Sequence, residues 1–375
     1  MPHAAVSYGI MFLRTLPLGA LLVSTAFSQT PTVPALASPD VQPDRSVTFR
    51  IRAPKASDVT FYGDWMPVGT QQKMTKADDG VWSITLGPLP PSIYLYAFTV
   101  DGVTMADPVN PRIKLRSQTS ASMVEIPADS PALWQPRDVP HGAVEINWQK
   151  SKVLGDTRWI WIYTPPGYEK SQASRYPVLY LLHGSNDIAG GWTLAGQANF
   201  ILDNLIAEKK AVPMIVVMPY GHAVPFGSPR EIQAKNTAKF EQYLLADVIP
   251  LVESKYRVAP GREKRAIAGL SMGGGQSLSI GLSHLDLFSA LGVFSSAAGP
   301  NFESTHAKQL DDANAKLKTF WIGCGKDDGV FPRSKQLSEL LTARHVKHTL
   351  RVSEGAHTYT VWRLYLGEFA PLLFR

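Results

Sequence analysis

The chain has 375 residues, with 37 Lys and Arg against 31 Asp and Glu and a single cysteine. Such a length leaves room for two domains, while the lone Cys324 rules out an intrachain disulfide, a Cys-rich zinc site and a dithiol redox pair. The excess of six positive charges is not concentrated in any basic run, so no nucleic-acid partner is expected. At the N-terminus, Arg14, the mostly apolar stretch Leu16 to Phe27 and the small residues Ala26 and Ser28 read as a secretory signal peptide over residues 1–28, cleaved after Ser28. The apolar stretch is shorter than the ~20 residues of a membrane span and contains Pro17. No later run reaches spanning length, so the mature chain is expected to be secreted or periplasmic with no membrane attachment. Residues 29–44, rich in Pro, Ala and Ser, read as a flexible leader.

Over residues 45–127 the apolar side chains alternate. Val47, Phe49 and Ile51 share one strand face, as do Val59 and Phe61, then Trp82, Ile84 and Leu86, then Tyr94, Tyr96, Phe98 and Val100. Turn residues at Gly63-Asp64, Asp79-Gly80, Pro88 to Pro91 and Asp101-Gly102 have the spacing of an all-β sandwich of about seven strands. Trp65, Trp82 and the tyrosines raise the option of a sugar-stacking face, but alternating aromatics in strands more often make core. A domain packed rigidly against its neighbour is therefore expected, rather than an independent glycan anchor. Residues 128–143, with Pro131, Pro136 and Pro140, show neither period and read as the linker.

Over residues 144–375 the pattern changes. Val144 to Trp148 and Arg158 to Tyr163 predict antiparallel strands, whereas Val178 to Leu182 and Met214 to Met218 are continuous apolar runs of the kind buried parallel strands require. A helix is predicted over Thr237 to Tyr256 despite Pro250, a strand over Arg265 to Ala268 and a helix over Met272 to Leu282. Strands at Ala290 to Phe294, Thr319 to Cys324 and His348 to Val352 alternate with helices at Ser334 to Arg344 and Val361 to Leu373. This is an α/β pattern with a largely parallel sheet.

Gly269-Leu270-Ser271-Met272-Gly273 falls between a predicted strand and a predicted helix, the context of a nucleophile elbow. A serine hydroxyl needs a positioned base, and the base needs a carboxylate to fix its tautomer. His357, in the polar loop Glu354-Gly355-Ala356-His357-Thr358, is the candidate base. The acid is expected after the strand ending at Gly325, where Asp327 and Asp328 follow. Oxyanion donors are expected from the amides of Met272, next to the serine, and Ser185, in Leu181-Leu182-His183-Gly184-Ser185. His183 is read as a loop support, and His222 and Phe226, in the loop after a parallel strand, as candidates for the substrate pocket. No cofactor or metal is implied.

These pieces, together with Tyr163-Thr164-Pro165-Pro166-Gly167-Tyr168, Met218-Pro219 and Phe294-Ser295-Ser296-Ala297, resemble the esterase D family of α/β-hydrolases, which includes feruloyl and acetyl xylan esterases of carbohydrate esterase family one and trilactone siderophore esterases. The resemblance implies an α/β-hydrolase domain with Ser271, His357 and Asp328 as its triad, Asp327 being the fallback acid, and Trp192 as a pocket residue. Residues 45–127 resemble the immunoglobulin-like early-set sandwiches related to family 48 carbohydrate-binding modules. Together with the export signal, this implies a secreted esterase acting on feruloyl or acetyl esters of wall polysaccharide such as xylan. The alternatives are a periplasmic trilactone siderophore esterase and a non-catalytic carbohydrate-binding protein on a hydrolase scaffold.

Overall fold

Alternation becomes a sandwich in the computed structural model, which describes residues 35–170 and 172–375. The signal peptide read at 1–28 lies outside the described residues. One antiparallel sheet runs in the order Asp40–Val41, Val47–Arg52, Val81–Leu86, Thr75–Lys76. The other runs Gln72–Lys73, Val59–Gly63, Ser92–Val100, Ala121–Ile126, Ile113–Lys114, with Val103–Met105 folded back on Ser92–Val100. Between them lies an aromatic core in which Phe49 sits 4.4 Å from Phe61 and 4.6 Å from Tyr96, ring to ring. Such pairs each add about 0.5–1.5 kcal/mol beyond burial. Trp82, Tyr94 and Tyr96 are buried in this core.

The leader was expected to stay flexible as far as residue 44, and here the structure corrects the reading. Asp40 and Val41 pair with Thr48 and Val47, and Ser38 Oγ donates to the buried Asp107 at 2.6 Å. A buried carboxylate demands donors, and this one recruits part of the leader into the sandwich.

Strand Ser92–Val100 is buried on both faces over most of its length. Tyr94, Tyr96 and Phe98 point into the sandwich, while Ile93 and Leu95, with Ala121 and Met123 of the neighbouring strand, pack into a second core shared with Trp362 and Leu366. Arg363, 1 % exposed, locks this junction by donating to Ala195 O, Ser92 Oγ and Ile93 O at 2.7–2.9 Å. Leu36–Arg375 accordingly forms one compact unit. The proline-rich connection is fastened as well: Asn204 donates to Leu133 O and Gln135 O, and Asp203 accepts from Gly142 N and Tyr163 OH.

The large sheet has eight strands in the order Ala143–Lys150, Thr157–Thr164, Ile215–Pro219, Val178–Leu182, Arg265–Leu270, Ala290–Phe294, Thr319–Gly325, Thr349–Ser353. The first two are antiparallel additions and the other six are parallel. Helices cover both faces, giving the α/β-hydrolase fold. The long helix expected through Pro250 forms as Asn236–Tyr243 and Ile249–Lys255 joined by a π-turn at Leu244–Val248. Proline lacks the amide and crowds the carbonyl four residues back, and the wider turn absorbs this. Helices Ala198–Ala207 and Ala307–Lys316 were not among the predicted elements. Among the described residues no helix is long and apolar enough to cross a membrane.

Candidate active site

Ser271 ends strand Arg265–Leu270 in the middle of the parallel sheet and precedes helix Met272–Ser283. Its backbone is at φ 53°, ψ −117°, a strained region costing about 1–3 kcal/mol that surrounding structure must enforce. Ser271 N donates to Phe294 O at 2.8 Å, and the glycines let the turn close. A Cβ on Gly269 would lie 2.5 Å from the backbone of Gly273, and one on Gly273 would lie 2.6 Å from the carbonyls of Leu182 and His183. The Met272 amide stands at the first helical position, where it has no intrahelical acceptor.

The sheet next brings the candidate base and the candidate acid together. His357 Nδ1 is 2.8 Å from Oδ2 of the buried Asp328. Burial pushes the Asp328 carboxyl up, but hydrogen bonds from His357, Val330 N and Ser295 outweigh it and hold the group below the ordinary carboxylate value. Asp327 is exposed and instead ties down the histidine loop, its carboxylate accepting from Gly355 N at 3.2 Å. The edge of Trp362 meets the His357 ring at 5.0 Å, and Trp362 Nε1 donates to Ser295 Oγ at 2.9 Å. Ser295 thus braces Asp328 directly and His357 through Trp362; this was not read from the sequence, where only its motif was visible.

Ser271, His357 and Ser185 line one cavity of about 290 Å³. No hydrogen bond joins Ser271 to His357 among the described residues; such contacts commonly tighten only around a bound substrate. Much of the opposite wall comes from the front sandwich: Tyr62, Asp64, Met66, Leu95, Lys114 and Arg116. Nothing in the sequence assigned these residues to the site, because the alternation of a strand does not reveal what covers its outer face.

His183 is buried and accepts from Gly221 N at Nε2, so the proton is on Nδ1, 2.8 Å from Gly184 O. Burial lowers it to about 4, leaving it a neutral loop support. Three expected pocket residues are corrected. Trp192 is fully buried and donates to Leu182 O, so it packs beneath the loop instead of lining the cavity. His222 is buried with Nε2 2.6 Å from Ser185 O, and Phe226 packs edge-on against it at 5.2 Å, so both sit behind the Ser185 loop.

Comparison with known proteins gives the family. The family model described as "Putative esterase" matches residues 151–370. An endo-1,4-beta-xylanase/feruloyl esterase of Xylanibacter ruminicola is 33% identical over 346 residues, covering 90% of this chain and 46% of that protein. The chain spans less than half the length of the curated relatives it matches. A ferulic acid esterase from Anaeromyces mucronatus superposes with TM-score 0.58 at 25% identity, over 67% of this chain and 98% of that one. In fold alone, the enterobactin esterase of Shigella flexneri is similar over more of the chain, 87% of it and 92% of its own, with TM-score 0.64 at 19% identity. With the family model spanning more than half of its length, the chain belongs to this esterase family.

Proposed function

We propose that the chain is a cofactor-independent serine carboxylesterase that removes feruloyl or related aryl acyl groups from wall polysaccharide such as xylan, outside the cytoplasm. Ser271 attacks the ester carbonyl as His357 takes its proton, and Asp328 holds the imidazole in the Nδ1–H tautomer and balances the imidazolium. The amides of Met272 and Ser185 receive the oxyanion. Collapse expels the sugar hydroxyl, protonated by His357, and water activated by the same ring then frees the acid.

The observation that carries this reading is the 2.8 Å pairing of His357 with Asp328 beside a serine held at φ 53° on the same cavity. A cavity of about 290 Å³ with Leu95, Leu270 and Trp362 in its walls exceeds what an acetyl group fills, which favours an aryl group over acetyl. The likeness to a protein named as a xylanase/feruloyl esterase supports the same side. A second reading, a trilactone siderophore esterase, draws on the fold likeness that extends over the front sandwich.

Methyl ferulate, acetylated xylan and a catecholate trilactone, assayed side by side with the wild type and Ser271→Ala, separate these readings. Ser271-dependent turnover led by methyl ferulate is expected. Preference for the trilactone replaces the substrate assignment, and binding of xylan with no Ser271-dependent turnover of any ester leaves a non-catalytic carbohydrate-binding protein.

A further inference from the structure

Lys114 belongs to the front sandwich, on the short edge strand Ile113–Lys114, yet its ammonium is buried in the junction with the hydrolase layers. It lies 2.8 Å from Asp187 Oδ1, and the two side chains are only 4% and 6% exposed. Burial pulls the lysine below its ordinary value, while Lys114 is the strongest influence holding Asp187 down. Asp187 stands two residues past Ser185, and every part of it is engaged. Oδ1 also accepts from Ile188 N at 2.8 Å, Oδ2 accepts from Tyr359 OH at 2.6 Å, and the Asp187 carbonyl accepts from Ser117 Oγ of the front sandwich at 2.7 Å.

The consequence reaches the Ser185 amide through one peptide plane. Gly184 O accepts from Asp187 N at 3.2 Å and from the Nδ1–H of His183 at 2.8 Å. The Gly184 carbonyl and the Ser185 N–H belong to the same planar trans peptide unit and point in opposite directions. Fixing the carbonyl therefore fixes where the Ser185 N–H points. Tyr359, two residues past His357, joins the same carboxylate, so the oxyanion loop and the histidine loop share one anchor.

We propose that Lys114 is a positioning residue for catalysis: from the front sandwich, it holds Asp187 and through it both the Ser185 amide and the His357 loop. The inference rests on the esterase reading above and makes the front sandwich part of the catalytic apparatus, beyond any role in holding substrate.

The test uses the full chain and a short aryl ester, with the wild type and Ser271→Ala alongside. Removing one oxyanion donor costs about 10²–10³ in kcat, and a donor that is displaced but still present is expected to cost roughly 10–100-fold in Lys114→Met. KM should change by less than about threefold, because an oxyanion contact forms only in the transition state. Lys114→Arg should recover most of the kcat. The pair Lys114→Met with Asp187→Asn removes both buried charges, which folded chains tolerate better than one unpaired charge. It should keep its fold and still show the kcat defect, so it serves if Lys114→Met does not fold. Either neutral variant, folded and with kcat near the wild-type value or impaired in KM alone, overturns the proposal. If the wild type shows no Ser271-dependent turnover, the esterase reading fails and this inference falls with it.

Discussion

His357 Nδ1 meets Asp328 Oδ2 at 2.8 Å while the adjacent Asp327 turns outward to hold Gly355 N. Two neighbouring carboxylates thus hold different parts of one loop, Asp328 the proposed base and Asp327 the backbone that carries it. Asp328→Asn should lower kcat on an aryl ester by roughly 10⁴, the scale seen when a triad acid is replaced by its amide and the histidine tautomer is lost. Asp327→Asn keeps an acceptor for the loop and should stay within roughly tenfold of wild type. A larger loss at 327 than at 328 would reverse the assignment.

The elbow gives a second test. A Cβ at Gly269 would stand 2.5 Å from the backbone carbon and oxygen of Gly273, atoms that cannot swing aside as a flexible side chain would. Gly269→Ala must therefore move the turn that presents Ser271. A shift of about 1 Å at a reacting group can cost 10²-fold, and overpacking of this kind costs about 1–3 kcal/mol of stability. Steady-state kinetics with urea unfolding measure both, and a fully active, equally stable Gly269→Ala would contradict the close approach.

The proposed serine and histidine were legible because each occupies a local pattern, a serine between glycines at a strand end and a histidine in a polar loop; the local pattern put the acid after a strand but left Asp327 and Asp328 open, and the family resemblance chose Asp328. What surrounds them was not legible. Lys114 and Leu95 reach the cavity from another sheet, and no local period encodes which outer face a second domain will cover. The family resemblance implied a pocket wall at Trp192, but its indole N–H finds Leu182 O beneath the loop. Helix Ala198–Ala207 does carry an apolar stripe, Ala198, Ile201, Leu202 and Leu205, at helical spacing and was overlooked, whereas the burial of Asp203 and Asn204 beside it, where they bind the linker, has no signature in the sequence. Helix Ala307–Lys316 buries only Leu310 and Ala313, too narrow a stripe to register.

The junction between sandwich and hydrolase should prove energetically continuous. Arg363 carries two hydrogen bonds across it, to Ser92 Oγ and Ile93 O, and a third within the hydrolase to Ala195 O, and Arg363→Met would leave all three without that donor in a buried site. At 1–3 kcal/mol for each unsatisfied group, partly offset by the apolar replacement, a loss of about 3 kcal/mol is expected. Chemical denaturation followed by tryptophan fluorescence reports it. Two separate transitions in the wild type, with Arg363→Met altering neither, would show instead that the sandwich is an independent body.

Asp64 offers a pH test of the same junction. Its backbone N–H donates to Leu95 O, and its Oδ1 accepts from Leu95 N at 3.1 Å. Burial pushes its carboxyl up from 3.8 to about 6, against the pull of the Leu95 amide, Arg363, Arg116 and Lys114. Because the folded value lies above the unfolded one, the folded chain holds this proton longer, so stability from the group falls as pH rises from about 4 to about 6 and stays at the lower level beyond. Asp64→Asn keeps the acceptor for Leu95 N and cannot ionise. Its stability relative to wild type should therefore be greater at pH 8 than at pH 5, by roughly 1 kcal/mol. Urea unfolding of both proteins at the two pH values measures the difference. A relative stability independent of pH would mean that Asp64 is ionised in the folded chain at no cost, with the neighbouring cations fully compensating its burial.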